Sequence, residues 1–166
     1  MKTKKQQELI NSFISAIGNE AGPLYFELAK YLSELGYNPK KEGQRISFKH
    51  DKHNKQIAKM GMTRGKSPCP VFMLRFSACK DYSQRFIDIV KEAVIKSSGD
   101  ARCLTGECDY CAGEPSTHVY FDGDKSRCGS HALEIPGITA DDMQEIKKLI
   151  KEAHVYLMKH QAGIII

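Results

Sequence analysis

Arg45-Ile46-Ser47-Phe48-Lys49 alternates polar and apolar side chains. It is followed by Asp51-Lys52-His53-Asn54 and then by Lys55-Gln56-Ile57-Ala58-Lys59-Met60, which alternates less cleanly. A period of two marks a strand with one buried face, and an Asp/Asn cluster between two such runs supplies a turn. The stretch therefore predicts a β-hairpin. It decides the fold class, because the runs farthest from it on both sides repeat with the helical period.

Upstream, Leu9, Ile10, Phe13, Ile14 and Ile17 recur at three- and four-residue steps and stop at Gly18-Asn19. Pro23 opens a second helical run with Leu24, Leu28, Tyr31, Leu32 and Leu35 on one face, and Gly36 is its C-terminal stop. Tyr37-Asn38-Pro39 cannot continue that helix. Downstream, Val71 to Phe76 predicts a buried strand after Pro70, and Phe86, Ile87, Val90 and Val94 predict a helix over about 82–96, capped by Asp81 or Ser83. Thr117 to Phe121, Asp122-Gly123 and Lys125 to Cys128 predict a second hairpin, and Ala132 to Ile135 another short strand. Thr139 and Asp142 stand in near capping-box spacing before a helical stripe of Met143, Ile146, Ile150, Ala153 and Leu157. The expected class is α+β: an antiparallel sheet of hairpins with flanking helices, an N-terminal helical pair and a C-terminal amphipathic helix. The expected division is an N-terminal helix over 1–22, a single α+β domain over 23–160 and a tail over 161–166.

The composition suits such a domain. With 166 residues, 41% hydrophobic and 27% charged, the chain can bury a core and is not of disordered type. No apolar run approaches the ~20 residues of a membrane helix, and Ile164-Ile165-Ile166 is far too short to be an anchor. The positive N-terminus has no apolar segment behind it, so a cytoplasmic protein with no membrane partner is expected. Charge is uneven: residues 1–80 carry a balance of +9, and residues 81–166 a balance of −4. The basic stretch over 40–66 is the densest and could attract nucleic acid or another phosphate ligand, through Lys49, Lys52, Lys55 and Lys59 among others. The ordinary alternative is a solvated sheet face and hairpin tip. Phe48 is the sole aromatic inside it, whereas single-strand binders interleave several.

Four of the six cysteines, Cys103, Cys108, Cys111 and Cys128, fall within 26 residues, and His131 stands three positions beyond the last. In a cytosolic chain such cysteines are metal ligands or reactive thiols rather than a disulfide framework. Cys108-x2-Cys111 and Cys128-x2-His131 are two short-spaced pairs, the pattern of a tetrahedral zinc site, with Cys103 and His131 competing for the fourth position. Cys69 and Cys79 stand apart and are expected to be small buried hydrophobes. His50, His53, His154 and His160 are expected at the surface or rim, while His118 and Tyr120 share one strand face. No nucleophile elbow, Walker loop or HExxH signature occurs, and the GKS at 65–67 lacks the glycine a phosphate loop needs at position 60.

The run Cys103-Leu-Thr-Gly106-Glu-Cys108-Asp-Tyr-Cys111 resembles the cluster loop of plant-type [2Fe–2S] ferredoxins in its C-x4-C-x2-C spacing. Cys128 lies nearer than that family places its fourth ligand, and Glu107 and Asp109 replace small residues. More broadly, Phe48-Lys49-His50, Ile57-Ala58-Lys59-Met60-Gly61, the cysteine loop, Cys128-Gly129 and Ile135-Pro136-Gly137-Ile138-Thr139 resemble a family of small bacterial α+β domain proteins with a Cys-rich loop. That resemblance spans residues 24–158, and the family has no established activity to transfer. The order of elements distantly resembles iron-chaperone-like small domains, again without a catalytic residue to carry over. Two functions follow as expectations. One is a zinc-stapled protein that binds a ligand, nucleic acid or protein partner. The other is a redox protein using a [2Fe–2S] cluster or a reactive cysteine within 103–128.

Overall fold

The computed structural model describes residues 1–96 and 128–159. Helix α1 (Lys4–Glu34) is followed by strands β1 (Tyr37–Glu42), β2 (Arg45–His50), β3 (Gln56–Met62) and β4 (Pro70–Leu74). Helix α2 (Gln84–Ile95), strand β5 (Leu133–Ile135), a 3₁₀ turn (Ala140–Asp142) and helix α3 (Met143–Lys159) are the other elements of the described residues. The five strands form one antiparallel sheet in the order β1-β2-β3-β4-β5. The class is α+β.

The N-terminal helical pair is present as two segments of α1 meeting at Gly18, whose φ of 82° and ψ of −179° break the helix. The break turns the first segment back on the second: the Phe13 and Tyr25 rings meet edge to face with centroids 5.9 Å apart. A capping box starts α1, Thr3 Oγ1 accepting from the Gln6 amide and Gln6 Oε1 from the Thr3 amide. At its other end Gly36, at φ 91°, lies so close to His50 that a Cβ would come within 2.9 Å of the ring Nε2. Only glycine meets both demands there.

Tyr37-Asn38-Pro39, expected only to stop the helix, begins the edge strand β1, which runs on through Lys40 and Lys41 to Glu42. Pro39 is tolerated because an edge strand has one side free of ladder bonds. The β2–β3 hairpin forms as expected, with Asn54 in the left-handed region at φ 55° and its amide donating to the His50 carbonyl at 2.9 Å. The register shifts between Phe48, opposite Ala58, and Lys49, opposite Gln56, leaving Ile57 as an extra residue. This bulge buries two consecutive residues, Ile57 and Ala58, in the core.

One sheet face carries Ile46, Phe48, Ala58, Met60, Phe72, Leu74, Leu133 and Ile135, all buried in a single core with residues of the three helices. From α3 come Met143, Ile146, Ile150, Ala153 and Leu157, as the stripe predicts, with Leu149 in addition. From α2 come Phe86, Val90 and Val94. Ser83 caps α2 by backbone position alone, and the Thr139–Asp142 capping box introduces α3 through its 3₁₀ turn. Arg85 ties α2 to both, donating to the Pro136 carbonyl at 2.7 Å and pairing with Asp142 at 3.0 Å. Among the described residues no helix is long and apolar enough to cross a membrane.

Candidate functional site: a cationic cleft on the second sheet face

Strand alternation sends the polar members of β2 and β3 to the face opposite the helices. Arg45, Ser47 and Lys49 emerge there from β2, and the register sets Ser47 opposite Lys59 of β3. A cleft of about 550 Å³ lies on this face, lined by Arg45, Lys49, Lys55, Lys59, Arg75 and Glu42, with Ser130 and His131 contributing from the segment before β5. Among the described residues five cations and one carboxylate line the cleft, with Glu134 paired to Arg45, so the described lining is net positive.

The local chemistry holds these side chains in place. Gly61 leaves room for the Arg45 stem, since a Cβ there would come within 2.9 Å of Arg45 Cγ. The bulge positions Arg75: its amide donates to the Ile57 carbonyl at 2.8 Å and its Nη1 to the Gln56 carbonyl at 3.3 Å. Arg45 pairs with Glu134 at 3.6 Å. Glu42 reaches over from the edge strand, with Oε1 3.3 Å from Lys49 Nζ and Oε2 3.0 Å from Lys59 Nζ. The hydrogen bond from Lys59 is the chief influence holding the Glu42 carboxyl below the usual carboxylate range, against a smaller opposing effect of burial. The Ser47 hydroxyl is fully buried and has no hydrogen-bond partner among the described residues.

Of the four lysines singled out in the basic stretch, Lys49, Lys55 and Lys59 line the cleft, and Lys52 is exposed on the hairpin turn outside it. Arg75, Ser47 and Glu42 were missed. The alternation Arg45-Ser47-Lys49 was the available signal for Ser47. Glu42 belongs to β1 and Arg75 follows the end of β4, and only strand pairing reveals what stands beside them.

Of the predicted metal ligands, Cys128 and His131 share one turn, the His131 amide donating to the Cys128 carbonyl at 3.1 Å. Cys128 is buried with Sγ 3.0 Å from Ser130 Oγ, and His131 lies on the cleft wall. Cys103, Cys108 and Cys111, the hairpin over 117–128 up to residue 127 with His118 and Tyr120, and His160 with the tail over 161–166 lie outside the described residues. Among those described, no three His, Cys, Asp or Glu side chains are grouped to hold a metal. Cys79 is buried as expected; desolvation pushes its thiol up to about 12, so it is inert at neutral pH. Cys69 is instead exposed, because it lies in the loop just before β4 rather than within the strand.

The histidines depart most from expectation. His50 is buried, and its ring stacks on His53 with centroids 4.2 Å apart and planes 8° from parallel. His154 of α3 approaches His50 with a centroid distance of 5.9 Å, and its Nδ1 lies 3.2 Å from the Tyr37 hydroxyl. The Lys52 amide donates to His50 Nδ1 at 3.2 Å and the Lys55 amide to His53 Nδ1 at 3.0 Å. Both neutral rings therefore carry their proton on Nε2, which leaves no lone pair there for a metal. This trio is a structural knot of neutral rings. Comparison of the chain with protein-family models, with curated proteins and with solved structures finds no match.

Proposed function

We propose that this protein binds a phosphate-bearing ligand, a small phosphate or a nucleic acid, on the second face of its sheet. The observation that carries this reading is the convergence of Arg45, Lys49, Lys55, Lys59 and Arg75 on one cleft. A concave wall of one charge sign concentrates anions and steers their approach. The ammonium and guanidinium groups of these side chains suit contact with phosphate oxygens. Binding of small phosphates and of short single- and double-stranded oligonucleotides is the direct test. For an oligonucleotide held by two or three phosphate contacts, affinity should fall roughly tenfold or more between about 50 and about 200 mM salt, and Lys59→Ala should weaken it further. No salt-sensitive binding of any of these probes at low ionic strength would refute the reading.

The same proposal includes a zinc staple held by Cys108, Cys111 and Cys128 with either Cys103 or His131. The ligand spacing supports it, as does the turn that carries Cys128 and His131 together. Zinc in such a site would be structural, fixing the segment before β5 and with it one wall of the cleft. Cys108→Ser should lower both zinc content and the melting midpoint, because binding energy at a structural site is partly folding energy. Metal analysis of protein purified without added metal decides it. A colourless protein with one zinc supports the staple, a brown one with visible charge-transfer bands supports the [2Fe–2S] alternative, and reduced metal-free protein refutes both.

A further inference from the structure

Glu42 occupies the cleft in an unusual way. Each of its two carboxylate oxygens is spent on a different lysine, Lys49 on β2 and Lys59 on β3. Both lysines are largely covered, their side chains 29% and 26% exposed, so the pair of ammonium groups is fixed rather than free in solvent. On the same face, between Arg45 and Lys49 along β2 and opposite Lys59 across the ladder, stands Ser47 with its buried, unpartnered hydroxyl. A carboxylate with two oxygens satisfies two lysines and leaves that hydroxyl with nothing to donate to. Buried hydroxyls without partners are rare and costly.

We infer that the Glu42 carboxylate holds the place of a ligand's phosphate, and that Lys49, Lys59 and Arg45 form a subsite for a dianionic phosphate monoester. This rests on the phosphate-binding reading above and narrows it to one ligand class. To bind, the ligand displaces Glu42 toward solvent on the edge strand β1, where the side chain is 45% exposed and has room to move. The displacement selects among phosphates. A phosphodiester brings one negative charge, no more than Glu42 already supplies, and then stands beside the expelled carboxylate. A monoester brings about two charges at pH 7 and three terminal oxygens. Glu42 is therefore a built-in competitor that a terminal phosphate overcomes and a backbone diester does not.

The test is a titration of the full-length protein with methyl phosphate and dimethyl phosphate at pH 8 and low salt, followed by NMR shifts of the lysine side chains. Methyl phosphate should bind more tightly than dimethyl phosphate. Glu42→Gln should tighten methyl phosphate binding by on the order of tenfold, a typical coupling between competing occupants of one site. Glu8→Gln, which removes the same charge from the first turns of α1, should change nothing. Equal gains from both variants would reveal a bulk charge effect and overturn the inference. So would a wild-type protein that binds both esters equally, or a Glu42→Gln variant that binds no better. In those cases the phosphate-binding reading survives. If neither wild type nor Glu42→Gln binds any phosphate probe, both readings fall together.

Discussion

Replacing Ile150 by Ala is expected to lower the stability of the protein by about 2–5 kcal/mol, the range for a large aliphatic side chain lost from a packed core. Ile150 is fully buried on α3 and belongs to the core shared by the sheet and helices α1, α2 and α3. The size of the effect depends on how far the surroundings can relax. Here they are pinned on several sides. Lys147 pairs with Glu27 of α1 and stands over the Tyr31 ring, 5.6 Å from its centroid. Lys148 donates to the Asp81 carbonyl at 2.8 Å, and Glu145 accepts from the Ser83 amide at the start of α2. With α3 held at these points it cannot slide inward to fill the void, so the cost should fall in the upper half of the range. Chemical denaturation checks it through a lower midpoint at unchanged slope. A midpoint equal to wild type would mean that α3 is peripheral to the core.

Acidification is expected to cost about 2 kcal/mol of stability between pH 6.5 and about pH 4, before most carboxylates titrate. Burial is the main cause that lowers the pKa of His53 to about 4, and the neighbouring His50 ring adds to it. Burial likewise lowers those of His50 and His154. Lys55, Arg75, Lys52 and Lys2 push the rings the same way, and Asp51 opposes them at His50. The hydrogen bonds give the reason at atomic level. Protonating His50 or His53 puts a hydrogen on the Nδ1 that accepts the Lys52 or Lys55 amide, turning an acceptor into a donor facing a donor. In this window the unfolded chain binds more protons than the folded one, so stability is complete above pH 6.5 and falls as pH drops toward 4. Partial solvent access to the rings screens them and keeps the loss below what the full shift implies. Thermal melts at half-unit pH steps measure it, and His53→Gln should flatten the decline. A melting midpoint constant from pH 7 to pH 5 would show that the rings are not held neutral by the fold.

The legible parts of this protein were those in which one segment carries its own pattern. The hairpin around residues 51–54, the helical break at Gly18, the stop at Gly36 and the buried stripe of α3 each follow from local period or a backbone demand that glycine meets. β1 escaped because Asn38-Pro39-Lys40 has no strand propensity. It is a strand only because β2 offers it a ladder and Tyr37 a place in the core. The cysteine cluster was legible as a spacing, but spacing alone names ligands without saying how a fold points them at one ion.

The amino-acid sequence by itself determined the helices and the strands β2 to β5 and their order, since helical and strand periods and turn chemistry are properties of neighbours along the chain. Only the tertiary structure decided which side chains share a face. Glu42 meets Lys49 and Lys59 because β1, β2 and β3 pair in one particular register, and Arg75 joins them because a one-residue bulge at Ile57 turns toward it. His154 reaches His50 and Tyr37 from more than a hundred residues away. Such contacts depend on strand register and helix docking, where a slip of one residue moves a side chain to the opposite face, and no local period records that choice.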